Sequence, residues 1–88
     1  MTKVFRFKLR DDPATTLDRV RATAARAGIL FHGGLKEGWF SGGMPGTGLD
    51  TRGIYRIVGY EIVIVFDQKP YVLTWEQVEA MLRAIIES

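Results

Sequence analysis

The sequence predicts an α+β fold: a two-layer sandwich in which two helices cover a mostly antiparallel five-stranded sheet, in the order β-α-β-β-β-β-α. Three observations lead there. Lys3 to Arg10 alternates apolar and basic residues and then runs into an Asp-Pro helix start. From Ile29 onward, strand-like runs are separated by hairpin-length connections, which join antiparallel neighbours. The last segment, Thr74 to Ser88, has every mark of a capped amphipathic helix. At 88 residues the chain has room for one domain, 1–88.

In the first strand Phe5, Phe7 and Leu9 share one face, while Arg6, Lys8 and Arg10 share the other. Asp12 is placed as N-cap and Pro13 at the first helical position. Leu17, Val20, Ala24 and Ala27 then form a narrow apolar stripe. Gly28 is suited to end the helix, and Arg19 and Arg26 lie opposite the stripe. Ile29 to His32 reads as the second strand and Glu37 to Ser41 as the third, joined by a turn at residues 33–36. Gly42 to Gly53 is rich in glycine and reads as a flexible loop. Ile54 to Val58 and Glu61 to Asp67 are the fourth and fifth strands, turning at Gly59 and Tyr60.

The final helix is the best specified element. Thr74 and Gln77 have capping-box spacing, and Leu73 and Val78 are placed as a hydrophobic staple. Trp75, Val78, Leu82 and Ile85, with Met81, make its apolar stripe. Glu79 and Arg83 form an i,i+4 pair in the favourable orientation.

Composition narrows the function classes. Hydrophobic content of 47% and charged content of 25% are those of a folded globular protein. With 12 basic and 10 acidic residues the net charge is +2, a weak bias for a nucleic-acid binder. There is no cysteine, hence no disulfide or thiolate chemistry, which fits a cytoplasmic protein. No run is long enough to cross a membrane as a helix, and the first residues lack the apolar core of a secretory signal.

Motifs for catalysis or cofactors are not expected. The glycine stretch lacks the Lys-Ser/Thr pair and following helix of a phosphate-binding loop. It reads instead as a connector, or as the rim of a sheet cavity with Met44 and Leu49 as apolar contacts. His32 is the single histidine, too few for the usual zinc sites, and Ser41 has no nucleophile-elbow context. No enzyme, no cofactor and no metal site is expected.

Three binding readings follow. Strands four and five are apolar on both faces, and such strands are normally covered on both. Helices on one face leave the other to a second subunit or a protein partner. Tyr55, Ile57, Val63 and Val65 are the expected interface, and a self-associating interaction module is the leading expectation. An apolar pocket between the last helix and the sheet, lined by Phe40, Tyr55, Trp75 and Met81, is the alternative. The third reading is nucleic-acid contact through Arg6, Lys8 and Arg10, diluted by Asp11, Asp12 and Asp18.

The segments GILFHGG, GWFSG, IYRIVGYEIVIVF and KPYVLTWEQVEAMLRAII carry a layout that resembles the reduced helix-grip arrangement of small polyketide-cyclase-like proteins. It is also similar to that of short bacterial polyhydroxyalkanoate-system proteins. The resemblance implies apolar-ligand or granule-associated binding without catalysis. It carries no residue signature, so no residue takes a role from it, and the glycine stretch departs from it.

Overall fold

The computed structural model describes residues 2–43, 50–69 and 71–87. The elements are β1 (Lys3–Lys8), α1 (Pro13–Arg26), β2 (Ile29–Gly33), β3 (Glu37–Gly42), β4 (Thr51–Val58), β5 (Glu61–Gln68) and α2 (Trp75–Ile86). Every strand pairing is antiparallel, and the sheet order is β1-β5-β4-β3-β2. β1 and β2 are therefore opposite edges. α1 carries the chain from one edge to the other, and β2 to β5 meander back until β5 pairs with β1. The α+β class and element order agree with the sequence expectation.

Local chemistry explains both helix starts. The Asp12 carboxylate accepts from the Thr15 amide at 3.1 Å and from the Thr15 hydroxyl at 2.7 Å, with Pro13 next in the first turn. These bonds, the hydroxyl first, hold the Asp12 carboxyl below its ordinary range. At α2 the Gln77 amide donates to the Thr74 hydroxyl at 3.1 Å. The Thr74 amide donates back to the Gln77 side chain at 2.8 Å, completing the capping box. α1 stops where Gly28 takes a φ of 80°, a conformation costly for residues with a Cβ.

The two helices are joined by an arginine. Arg19 on α1 donates to the carbonyls of Ile85 at 2.8 Å and Ile86 at 3.4 Å, and also to Asp11 at 2.9 Å. The last carbonyls of a helix have no partner within it, so Arg19 caps α2 from outside. The sequence reading placed Arg19 with Arg26 opposite the apolar stripe of α1; the contact of Arg19 with α2 was not expected.

The core lies between the helices and one sheet face. Phe5, Phe7, Phe40, Tyr55, Ile57, Ile62, Ile64 and Phe66 enter it from the strands, and Leu17, Val20, Val78 and Ile86 from the helices. Its aromatic rings touch in series. Phe31 stacks on Phe40 at 4.9 Å, Phe40 meets Phe66 at 5.1 Å, and Phe66 meets Trp75 at 5.6 Å and Phe5 at 5.9 Å.

Strand boundaries differ from expectation in five places, β2 and β5 each running one residue further, to Gly33 and Gln68. β1 ends at Lys8, although Leu9 stays buried and its amide donates to Tyr60 at 2.7 Å. β3 extends to Gly42, and β4 begins at Thr51 rather than Ile54. The expected loop from Gly42 to Gly53 is thus strand at both ends, while residues 44–49, including Met44 and Leu49, lie outside the described residues. Packing explains the glycine in β4: a Cβ on Gly53 would collide with the Val65 carbonyl oxygen and lie 2.5 Å from the Phe40 ring, at a bulge between Arg52 and Gly53.

Candidate functional site: the uncovered sheet face

Side chains alternate along each strand, so every core residue has a neighbour on the opposite face. Pairing register aligns these neighbours into rows. Val4, Val65, Ile54, Trp39 and His32 form one continuous row across all five strands. Beside it runs a second row, Arg6, Val63, Arg56 and Glu37. Lys8, Glu61 and Val58 flank it at one end. Arg52 and Ser41 flank the apolar row at the other end, where a bulge sets both Asp67, next to the buried Phe66, and Gln68 against Arg52.

No described element covers this face. Trp39 is 50% exposed, Ile54 53% and Val58 62%, while Val63 and Val65 are half-buried by their neighbours. Leu30 and Val4 add to the exposed apolar surface. Between the side chains lies a shallow, open depression of about 730 Å³, bordered by Arg6, Trp39, Ile54, Arg56 and Val65.

The charges on the face are interleaved. Arg6 meets Glu61 at 3.4 Å and Arg56 meets Glu37 at 3.8 Å, both exposed and so weak pairs. Arg6, Lys8, Arg52 and Arg56 stand against Glu37, Glu61 and Asp67, a near balance. His32 stacks on Trp39 at 4.0 Å, its ring tilted by 22°. That contact occupies one side of the indole.

The expected interface residues divide between two faces. Val63 and Val65 lie on the open face as expected. Tyr55, 1% exposed, and Ile57 are buried beneath the helices. The Tyr55 hydroxyl donates to the Gly34 carbonyl at 2.7 Å, and Gly38 leaves room for its ring. The residues missed are Val4, Trp39, Ile54 and Val58. Arg56 is the signal that finds two of them. It sits between Tyr55 and Ile57, and an arginine faces water far more often than core. Ile54 and Val58 share its face.

The expected pocket also divides. A small apolar cleft of about 120 Å³ opens between the two helices above the sheet, with Phe40 and Met81 in its wall beside Val20, Ala24 and Leu82. Tyr55 and Trp75 are not part of that wall. Trp75 packs instead on Phe5 and Phe66, under Lys69 at 5.7 Å. The Thr51 hydroxyl at the cleft is used, donating to the Gln68 carbonyl at 3.0 Å.

Of the expected polyanion contacts, Arg6 and Lys8 project from β1 on the open face, and Arg10 follows in the bend before α1. Arg6 is engaged by Glu61. His32 is exposed at the β2 edge. No group of three or more His, Cys, Asp or Glu side chains gathers among the described residues. No described helix is long and apolar enough to cross a membrane.

No protein-family model, curated protein or solved structure matches this chain. The helix-grip likeness therefore rests on layout alone.

Proposed function

We propose that this protein is a non-catalytic interaction module that self-associates through its uncovered sheet face. The supporting observation is the apolar row from Val4 to Trp39, which crosses the sheet with no described element over it. Exposed apolar patches rimmed by polar groups mark contact surfaces. Trp and Arg, both present on this face, are the residues that most often anchor interfaces. A cysteine-free chain of this kind fits a cytoplasmic setting.

Light scattering over a dilution series from about 1 mM to about 1 μM tests the reading. The expected mass is twice the 9.9 kDa of the chain at the concentrated end. Ile54→Lys should return the mass to that of one chain while leaving the thermal transition of the monomer nearly unchanged, because Ile54 is exposed there. A wild-type protein that stays at 9.9 kDa throughout would remove the reading.

A second reading, a small apolar ligand held between the helices, is favoured by the cleft beside Phe40 and Met81. Saturable binding of an apolar probe by monomeric protein, lost in Met81→Glu, would support it. Nucleic-acid contact through Arg6 and Lys8, with Arg10 beside them, is the third. It predicts oligonucleotide binding that weakens steeply with salt. The near balance of charge on the face weighs against it.

A further inference from the structure

Building on the self-association reading, we propose that two copies pair face to face about a two-fold axis that runs along the strands, between β4 and β5. Under this operation each row of the open face meets the same row of the second copy, with the strand order reversed. β1 of one copy lies over β3 of the other, and β5 lies over β4.

The register supplies the complementarity. In the apolar row Val4 meets Trp39 of the second copy, and Val65 meets Ile54. In the next row Arg6 meets Glu37, and Val63 lies under the aliphatic stem of Arg56. On the other side of the apolar row a bulge shifts the register, so that Arg52 meets Gln68. Each contact occurs twice, as an isologous interface requires.

Other axes fit less well. An axis along β4 sets Arg56 against itself, and one along β5 sets Arg6 against Arg56. An axis between β4 and β3 pairs Arg56 with Glu37 but leaves β1, with Val4 and Arg6, outside. An axis across the strands, through the apolar row, brings Arg56 onto Arg52. Like charges directly opposed disfavour a complex, so the register selects the axis between β4 and β5.

Size bears on the strength of the pairing. At about 4.8 Å between strands and about 3.3 Å per residue, the four strands that overlap measure roughly 19 by 20 Å in plan. The area buried, larger than the plan because side chains project, falls below the ~800 Å² per partner of a standard interface and toward the range of weak, reversible ones. Aligned packing of two sheets is a common arrangement. β2, with Leu30 and His32, stays at the margin.

Charge reversal with mixing tests the axis. Arg6→Glu and Glu37→Arg, prepared separately and checked for folding by circular dichroism, should each dimerise about ten-fold or more weakly than the wild type. Mixed in equal amounts they should form a heterodimer of near wild-type affinity. In that pair Glu at position 6 meets Arg at position 37, and Arg6 of the other copy meets Glu37. Mixing leaves each copy's internal contacts to Glu61 and Arg56 untouched, so recovery can only arise between copies.

The outcomes separate. A wild-type dimer whose two variants show no recovery on mixing would overturn the axis and leave the self-association reading standing. Rescue of Glu37→Arg by Arg56→Glu rather than Arg6→Glu would overturn it in favour of an axis between β3 and β4. A monomeric wild type, or one that binds a mixed oligonucleotide through this face instead, would overturn both.

Discussion

The two faces of one sheet carry similar apolar content in β4 and β5 but do different work. On the covered face Ile62, Ile64 and Phe66 meet α1, α2 and the aromatic series, and almost nothing of them reaches water. On the open face Val63 and Val65 alternate with them in the same strand, yet have only neighbouring strands to touch. Hydrophobicity alone therefore does not decide which side of a strand is core. The helices decide it, and the charged residues mark the side they left. Arg6, Lys8, Arg52 and Arg56 all point away from the helices.

The contrast is sharpest when one residue is truncated on each face. Phe66→Ala removes a ring that touches Phe5, Phe40 and Trp75, and the cavity should cost about 3–5 kcal/mol of folding stability. Ile54→Ala, one position along the β4–β5 pairing on the other face, should change monomer stability by only about 0.5 kcal/mol while weakening association. Urea unfolding at a dilution where the protein is monomeric checks both. Equal losses would mean that the open face is covered in the monomer and would break the distinction.

A second way to probe the covered face is to add volume. Gly53→Ala would place a methyl group 2.5 Å from the Phe40 ring and against β5 backbone. Relieving the clash with the Val65 carbonyl and the ring should cost about 1–3 kcal/mol, measured in the same unfolding experiment. Gly59→Ala in the β4–β5 turn is the control for backbone conformation alone, since no atom lies near its Cβ position although its φ is 60°. A Gly53→Ala loss no larger than that of Gly59→Ala would show that close packing against Val65 and Phe40 is not what requires the glycine.

Gly53 also shows where sequence reading ran out. Element order, both helix caps and the final amphipathic helix were legible, because each depends on residues close in sequence, such as Thr74 with Gln77 or Asp12 with Thr15. The glycines at 42 and 53 read as loop because their cause is remote. One leaves room for Phe40, and the other for the backbone at Gly28 and Ile29. The site was half legible for the same reason. That β5 is apolar on both sides is local information, and it led to Val63 and Val65. Arg56 marked locally which side of β4 joins them, a signal left unused; only the cross-strand register places Ile54 beside Val65. Trp39 joins that face only once β3 is paired with β4.

The helix layer offers a smaller effect. Arg19→Ala should lower stability by about 1–2 kcal/mol, since two α2 carbonyls lose a charged donor in a part-exposed setting. Arg19→Lys should recover only part of this, because an ammonium cannot span Ile85, Ile86 and Asp11 together. Thermal unfolding of the two variants at one concentration reads the difference. The open face should be indifferent to both, so the dimerisation constant should not move.

The smallest effect is the pH dependence of the α1 cap. Asp12 is held below its ordinary range by the Thr15 hydroxyl and amide, so the folded state favours its ionised form. The sign follows from linkage. The stabilisation is fully present above the carboxyl value of the unfolded chain, about 4. It is lost as pH falls through the lower value in the fold, where the unfolded chain binds the proton first. Asp12→Asn keeps a side-chain acceptor at the cap and removes the charge. Its stability should lie slightly below wild type at pH 7, and the gap should close on titration below about pH 4. A gap independent of pH would assign the cap's contribution to its shape rather than its charge. Either result leaves the sheet's open face unaltered, since Asp12 and α1 lie on the side the helices cover.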